Sequence, residues 1–101
     1  MRGGCNAARG EVLLDIDGAP RRLCVTLGAL AELEATFEAS SFAELGERLA
    51  QLTANDLIVV IAALCAGGGA PMSAAEIACA QVDPRAAAQA VAAAFRAAFD
   101  G

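Results

Sequence analysis

Apolar and polar positions alternate at the start of the chain: Val12, Leu14 and Ile16 fall on one side, and Glu11, Leu13, Asp15 and Asp17 on the other. Successive side chains of a strand point to opposite faces, so this pattern predicts a half-buried β-strand. Asp17 and Gly18 open a turn, Pro20 restricts it, and Leu23, Val25 and Leu27 continue an alternating face on a returning strand. The pair reads as a β-hairpin. Two strands are marginal in water on their own, so the hairpin has to pack on helices or join another sheet edge.

The period then changes to that of helices. Thr26 can cap a first helix in which Leu30, Leu33 and Phe37 recur at helical spacing, with Glu32, Glu34 and Glu38 as polar positions. Ser41 and Glu44 form a capping-box pattern before a second helix with Phe42, Leu45, Leu49 and Leu52 on one stripe and Glu44 and Arg48 placed to pair. Thr53 and Asp56 repeat the cap pattern, and residues 57–66 are apolar on every side, which predicts a central, buried third helix. That run is too short to cross a bilayer, which takes about 20 apolar residues. Gly67, Gly68 and Gly69 stop it and provide a hinge about which the last two helices could reposition. Ser73 with Glu76 starts a short fourth helix around Ile77 and Cys79. Asp83 and Pro84 start a fifth that runs to about residue 99, with Arg85, Gln89 and Arg96 on its polar side and Val91, Phe95 and Phe99 aligned on the other. The expected fold class is α+β and mostly helical: an N-terminal β-hairpin followed by about five helices, the third central. Residues 1–8 are expected to be a flexible N-terminus and residues 9–101 a single domain.

Composition narrows what such a body can do. The chain has 101 residues, 57% of them hydrophobic and 19% charged, which favours folding over disorder. Much of the apolar fraction is alanine, which supports helices but buries little surface per residue. The net charge is −5 and the seven cations are arginines scattered along the chain, so no basic stripe exists for nucleic acid. Lysine, histidine, tryptophan and tyrosine are absent. The commonest general base, the commonest metal ligand and the phosphate-cradling lysine are thereby missing together, and neither an enzyme, a metal nor a cofactor is expected. Cys5, Cys24, Cys65 and Cys79 show no C-x-x-C spacing and read as free thiols, three of them within apolar segments. No apolar signal segment opens the chain, and a cytoplasmic location is expected.

Three clusters carry groups capable of chemistry. Glu11, Asp15 and Asp17 share a strand face, but carboxylates opposite Arg21 and Arg22 serve solubility and cross-strand pairing more readily than they hold a cation. The three glycines follow no strand and precede no lysine, so they lack the setting of a phosphate loop. A cysteine nucleophile would need a base that the chain does not supply. What remains is a surface: the acidic outer side of the first helix, open to a basic partner, and the apolar stripes of the helices.

Arg9, Gly10, Glu11 and Val12, then Leu27, Gly28, Ala29, Leu30, Ala31, Glu32, Leu33 and Glu34, then Asn55, Asp56 and Leu57 leading into the glycines, resemble the small tail-morphogenesis protein of gene transfer agents and related tailed phages and prophages. The resemblance covers roughly residues 9–70 and is most specific over residues 27–34. That family carries two labels, tail tube protein and tail assembly chaperone. A tube wall needs sheets that join into a ring, and two strands do not make one, so the resemblance implies a chaperone that coats the tape measure protein and recruits tail tube subunits. The alternative is a structural minor tail or tube component of the particle. The implied contact is helix-in-groove recognition, with Val91, Phe95 and Phe99 as the first choice of wall and Leu30, Leu33, Glu34 and Phe37 as the second. Expected partners are the tape measure and tail tube proteins, with a homo-oligomer compatible and with no nucleic acid, membrane or small-molecule substrate.

Overall fold

A computed structural model describes residues 11–100, apart from the side chains of Phe42, Phe99 and Asp100; the expected flexible segment 1–8 lies outside the described residues. The elements run β1 (Val12–Ile16), β2 (Ala19–Leu23), α1 (Leu27–Phe37), α2 (Phe42–Leu49), α3 (Ala54–Gly67), α4 (Ala74–Cys79) and α5 (Pro84–Asp100). The α+β, mostly helical class read from the sequence is the observed one.

The hairpin follows from its turn. Asp17 and Gly18 both have positive φ, 57° and 81°, which is the two-residue geometry whose twist matches that of the flanking strands. The register pairs Ile16 with Ala19, Leu14 with Arg21 and Val12 with Leu23, and it sets Pro20 opposite Asp15. Pro20 therefore sits within β2 at a position whose missing N–H would have faced away from β1, and no ladder bond is lost. Asp17 belongs to the turn and not to the strand face: its Oδ1 accepts from the Gln81 N–H at 2.7 Å, and its own N–H donates to the Gln81 carbonyl at 2.9 Å. The acidic face expected on β1 is thus reduced to Glu11 and Asp15. β2 also ends earlier than the alternation of Val25 and Leu27 predicts: beyond Leu23 the chain is held to α3, the outward-facing Cys24 N–H donating to the Leu64 carbonyl at 3.0 Å. Leu27 is left 80% exposed as the first residue of α1.

The helix starts follow the caps. The Thr26, Ser41, Thr53 and Ser73 side chains each accept a backbone N–H of the following first turn, and Asp56 and Glu76 complete capping boxes by accepting the cap residue's own N–H. At α2 the second half of the box differs: the Glu44 carboxylate accepts from the Ser40 N–H at 2.8 Å, one residue upstream of the cap. The expected Glu44 to Arg48 pair is accordingly not formed. The Arg48 guanidinium lies over the Phe37 ring at 5.1 Å and reaches Asp56 at 4.0 Å, joining α2 to α1 and α3.

α3 is the centre of the core, packed against α1, α4, α5 and β2. Val60, Ile61, Leu64 and Cys65 are 0–2% exposed, and Leu14, Ile16, Leu23, Leu33, Ala94 and Phe95 close around them. Each large aliphatic side chain buried in this way contributes on the order of 1.5–3 kcal/mol relative to exposure. The three glycines do more than end the helix. A Cβ on Gly67 would overlap the Cys24 carbonyl oxygen, and one on Gly68 would overlap the Arg22 carbonyl oxygen. Close backbone approach, not slack, is the reason for glycine there; Gly69 alone turns the chain, with φ of 90°. The hinge read from this triplet is replaced by a packed joint at its first two members.

The thiols divide three ways. Cys24 takes part in a disulfide, which corrects the expectation of four free thiols; cysteine spacing does not encode pairing. Cys65 and Cys79 are free, the first buried and the second exposed. Burial pushes the Cys65 thiol above its ordinary value of 9.0, and the Arg21 charge opposes the shift in part.

Two outcomes test this account of the fold. Gly67→Ala and Gly68→Ala are each expected to lower stability by about 1–3 kcal/mol in urea titrations, whereas Gly46→Ala, which meets open space within α2, should raise it by about 1 kcal/mol; equal effects at the three sites would refute the packed joint. For the thiols, Cys65 is better protonated folded than unfolded. Its contribution is therefore complete below the ordinary thiol pKa and is lost as pH rises through and beyond 9.0. The alkaline loss of stability should be smaller in Cys65→Ala, and iodoacetamide should label Cys79 in the native protein but Cys65 only on unfolding.

Candidate functional site

Several of the charged side chains on the described surface are engaged within the fold. Glu11 Oε2 pairs with Arg22 Nε at 3.5 Å across the hairpin, Asp17 ties the turn to Gln81, and Asp56 and Glu76 are helix caps. Among the described residues no group of three or more His, Cys, Asp or Glu is placed to hold a metal ion. The two free thiols have no base beside them, and the buried one is held protonated by its surroundings.

The residues marked from the sequence as partner contacts are distributed unevenly. Leu30, Leu33 and Phe37 of α1 and Val91 and Phe95 of α5 all turn inward and belong to the core, at no more than 9% exposure. Glu34 is half-buried on α1, and the Phe99 side chain lies outside the described residues. The structure brings the two stripes into one hydrophobic cluster around α3, where they set the spacing of α1 and α5. They shape a surface without forming it. The cause lies in the alanine-rich composition: with few large side chains on α1 and α5, the core takes these five.

An apolar groove that the sequence reading did not single out lies on another side. Leu57, Ile58 and Ile61 of α3, Ile77 of α4, Val82 of the connection that follows it and Ala87 in the first turn of α5 line a cleft of about 190 Å³. Leu57, Ile58 and Val82 are only half-buried, so apolar surface remains open there. A signal for it was present. α3 is apolar all round, and α4, at six residues, is too short to cover one whole side of a helix of fourteen.

A second groove, of about 620 Å³, runs between the outer edge of β1 and α5, with Asp15 and Asp83 on its rim and Ala86 and Ala90 on its wall. Leu13 stands at its edge, 62% exposed. Among the described residues no helix is long and apolar enough to cross a membrane.

A search of curated proteins and a search of solved structures each found no match. A family model described as phage tail tube protein, GTA-gp10, matches residues 9–101 and so extends the likeness, read from residues 9–70, through α4 and α5. The chain, matched over nearly its whole length, belongs to this phage tail tube protein family of gene transfer agents.

Proposed function

We propose that this member of the family is a tail assembly chaperone, which binds the tape measure protein and recruits tail tube subunits to it, and acts by binding alone. The observation that carries the reading is the size of the sheet. Two five-residue strands, one packed on α3 and the other on α5, are the whole β-structure among the described residues. A tube wall is a closed ring of sheets contributed by many subunits, and a hairpin fastened to helices offers little to such a ring. Helices instead supply apolar clefts, and tape measure proteins, long and helical, present apolar stripes for them.

Within this proposal the cleft at Leu57, Ile58, Ile77 and Val82 receives the stripe. Leu30, Leu33, Phe37, Val91 and Phe95 hold α1 and α5 in position behind it, while Glu34 on α1 and the Phe99 position on α5 extend the contact. Each contact is small, and many copies along one partner add avidity through effective concentration. The work is done in the cytoplasm of the bacterial host while particles assemble, with no nucleic acid, membrane, cofactor or small-molecule substrate involved. The family description favours a second reading, a permanent structural component of the tail tube.

Coexpression of the full chain with the tape measure protein of the same particle is expected to keep the latter in solution and to copurify the two. Mass spectrometry of finished particles should then find the chain absent; its presence at a fixed ratio to tube subunits would establish the structural reading. Ile58→Ser should weaken tape measure capture by roughly five- to tenfold with the circular dichroism spectrum unchanged, and an unaffected affinity would remove the cleft from the proposal.

A further inference from the structure

The outer edge of β1 is an unfinished ladder. A two-residue turn makes Ile16 and Ala19 a hydrogen-bonded pair, so Leu14 and Arg21, and Val12 and Leu23, also exchange backbone bonds. The N–H and C=O groups of Leu13 and Asp15 then point away from β2. Among the described residues neither makes an outward backbone bond, and the one outward bond along this edge is that of Asp17 to Gln81. Gln81 therefore stands where a third strand would begin. Beyond it, the groove between this edge and α5 stays open over Leu13 and Asp15, walled by Ala86 and Ala90.

An edge of this kind recognises extended backbone, because only a strand satisfies alternate N–H and C=O groups in line. Side-chain character then selects the strand. Glu11, Leu13 and Asp15 share the outer face of β1, and Asp83 joins Asp15 on the rim of the groove. A second copy of this chain fits badly. The register centred on Leu13 sets Glu11 opposite Asp15, and the one centred on Asp15 sets that carboxylate against its own copy; like charges directly opposite are unfavourable. A strand with basic residues on its outer face and small aliphatic residues on its inner face meets Asp15 and Asp83 at the rim with the first and Ala86 and Ala90 with the second, while Glu11 stays paired with Arg22.

We propose that the open edge of β1 is a docking site for an extended basic segment of a partner protein, which adds as a third strand in line with Gln81. The inference does not depend on tape measure binding, since it uses a different face of the molecule and a different recognition mode.

The probe is a synthetic peptide of about six residues alternating arginine and valine, titrated into the isotope-labelled full chain and followed by amide NMR. Expected are shifts confined to the amides of residues 11–17 and 81–90, slower hydrogen exchange at Leu13 and Asp15, and a roughly fivefold loss of affinity in Asp15→Lys. The same peptide N-methylated on the amides that would face β1 should not bind. Equal binding of the methylated peptide would reduce the effect to charge attraction and overturn the proposal. So would shifts centred on Leu57 and Ile77, a concentration-dependent dimer of the chain alone through this edge, or no binding at millimolar peptide.

Discussion

The molecule is organised around one backbone contact: the carbonyl end of α3 lies directly against the exit of β2. The Cys24 N–H finds its acceptor at Leu64, and the Arg22 and Cys24 carbonyls occupy the space that side chains at positions 68 and 67 would need. Because β2 is anchored there, the apolar face of the hairpin is presented to α3 and α5. A two-stranded sheet with no such anchor would be marginal in water. The same contact ends β2 at Leu23 and releases the chain into the Thr26 cap, so that α1 begins where it can lay Leu30, Leu33 and Phe37 on α3.

Much of this architecture is legible in the residues because local and tertiary preferences agree. The Asp17–Gly18 turn, the Thr53 and Ser73 capping boxes and the unbroken apolar run of α3 each specify an element without help from distant parts of the chain. Where the reading departs from the structure, a distant group is responsible. Asp17 looks like a strand-face carboxylate until Gln81 takes it, Val25 and Leu27 look like strand until Cys24 turns to Leu64, and Glu44 looks like a partner for Arg48 until Ser40, Phe37 and Asp56 claim the two of them. The glycines read as a stop and a hinge, and their more demanding role as a close approach to β2 depends on neighbours more than forty positions earlier in the chain. The candidate surface was the least legible part. Periodicity finds apolar stripes but does not say which of them the core consumes, and here it consumes those of α1 and α5 and leaves part of α3 uncovered.

Membership in a tail tube family and a fold with only two short strands among the described residues are reconciled, under the proposed function, by a division of labour. The helical body would offer a helical partner the cleft beside α4, and the outer edge of β1 would take an added strand. A small domain with few large side chains holds both by letting alanine form the walls: α5 brings Ala86, Ala87 and Ala90 close to its neighbours and keeps Val91 and Phe95 for the core. The cleft beside α4 is lined without a charged side chain, whereas Asp15 and Asp83 give the groove at β1 an acidic rim, so the two surfaces suit partners of different character.

The paired bonds between Asp17 and Gln81 have a consequence for biosynthesis. They join positions separated by 64 residues, so the tip of the hairpin gains this second tie only once the chain has been made as far as the segment before α5, after the α3 contact that holds the exit of β2.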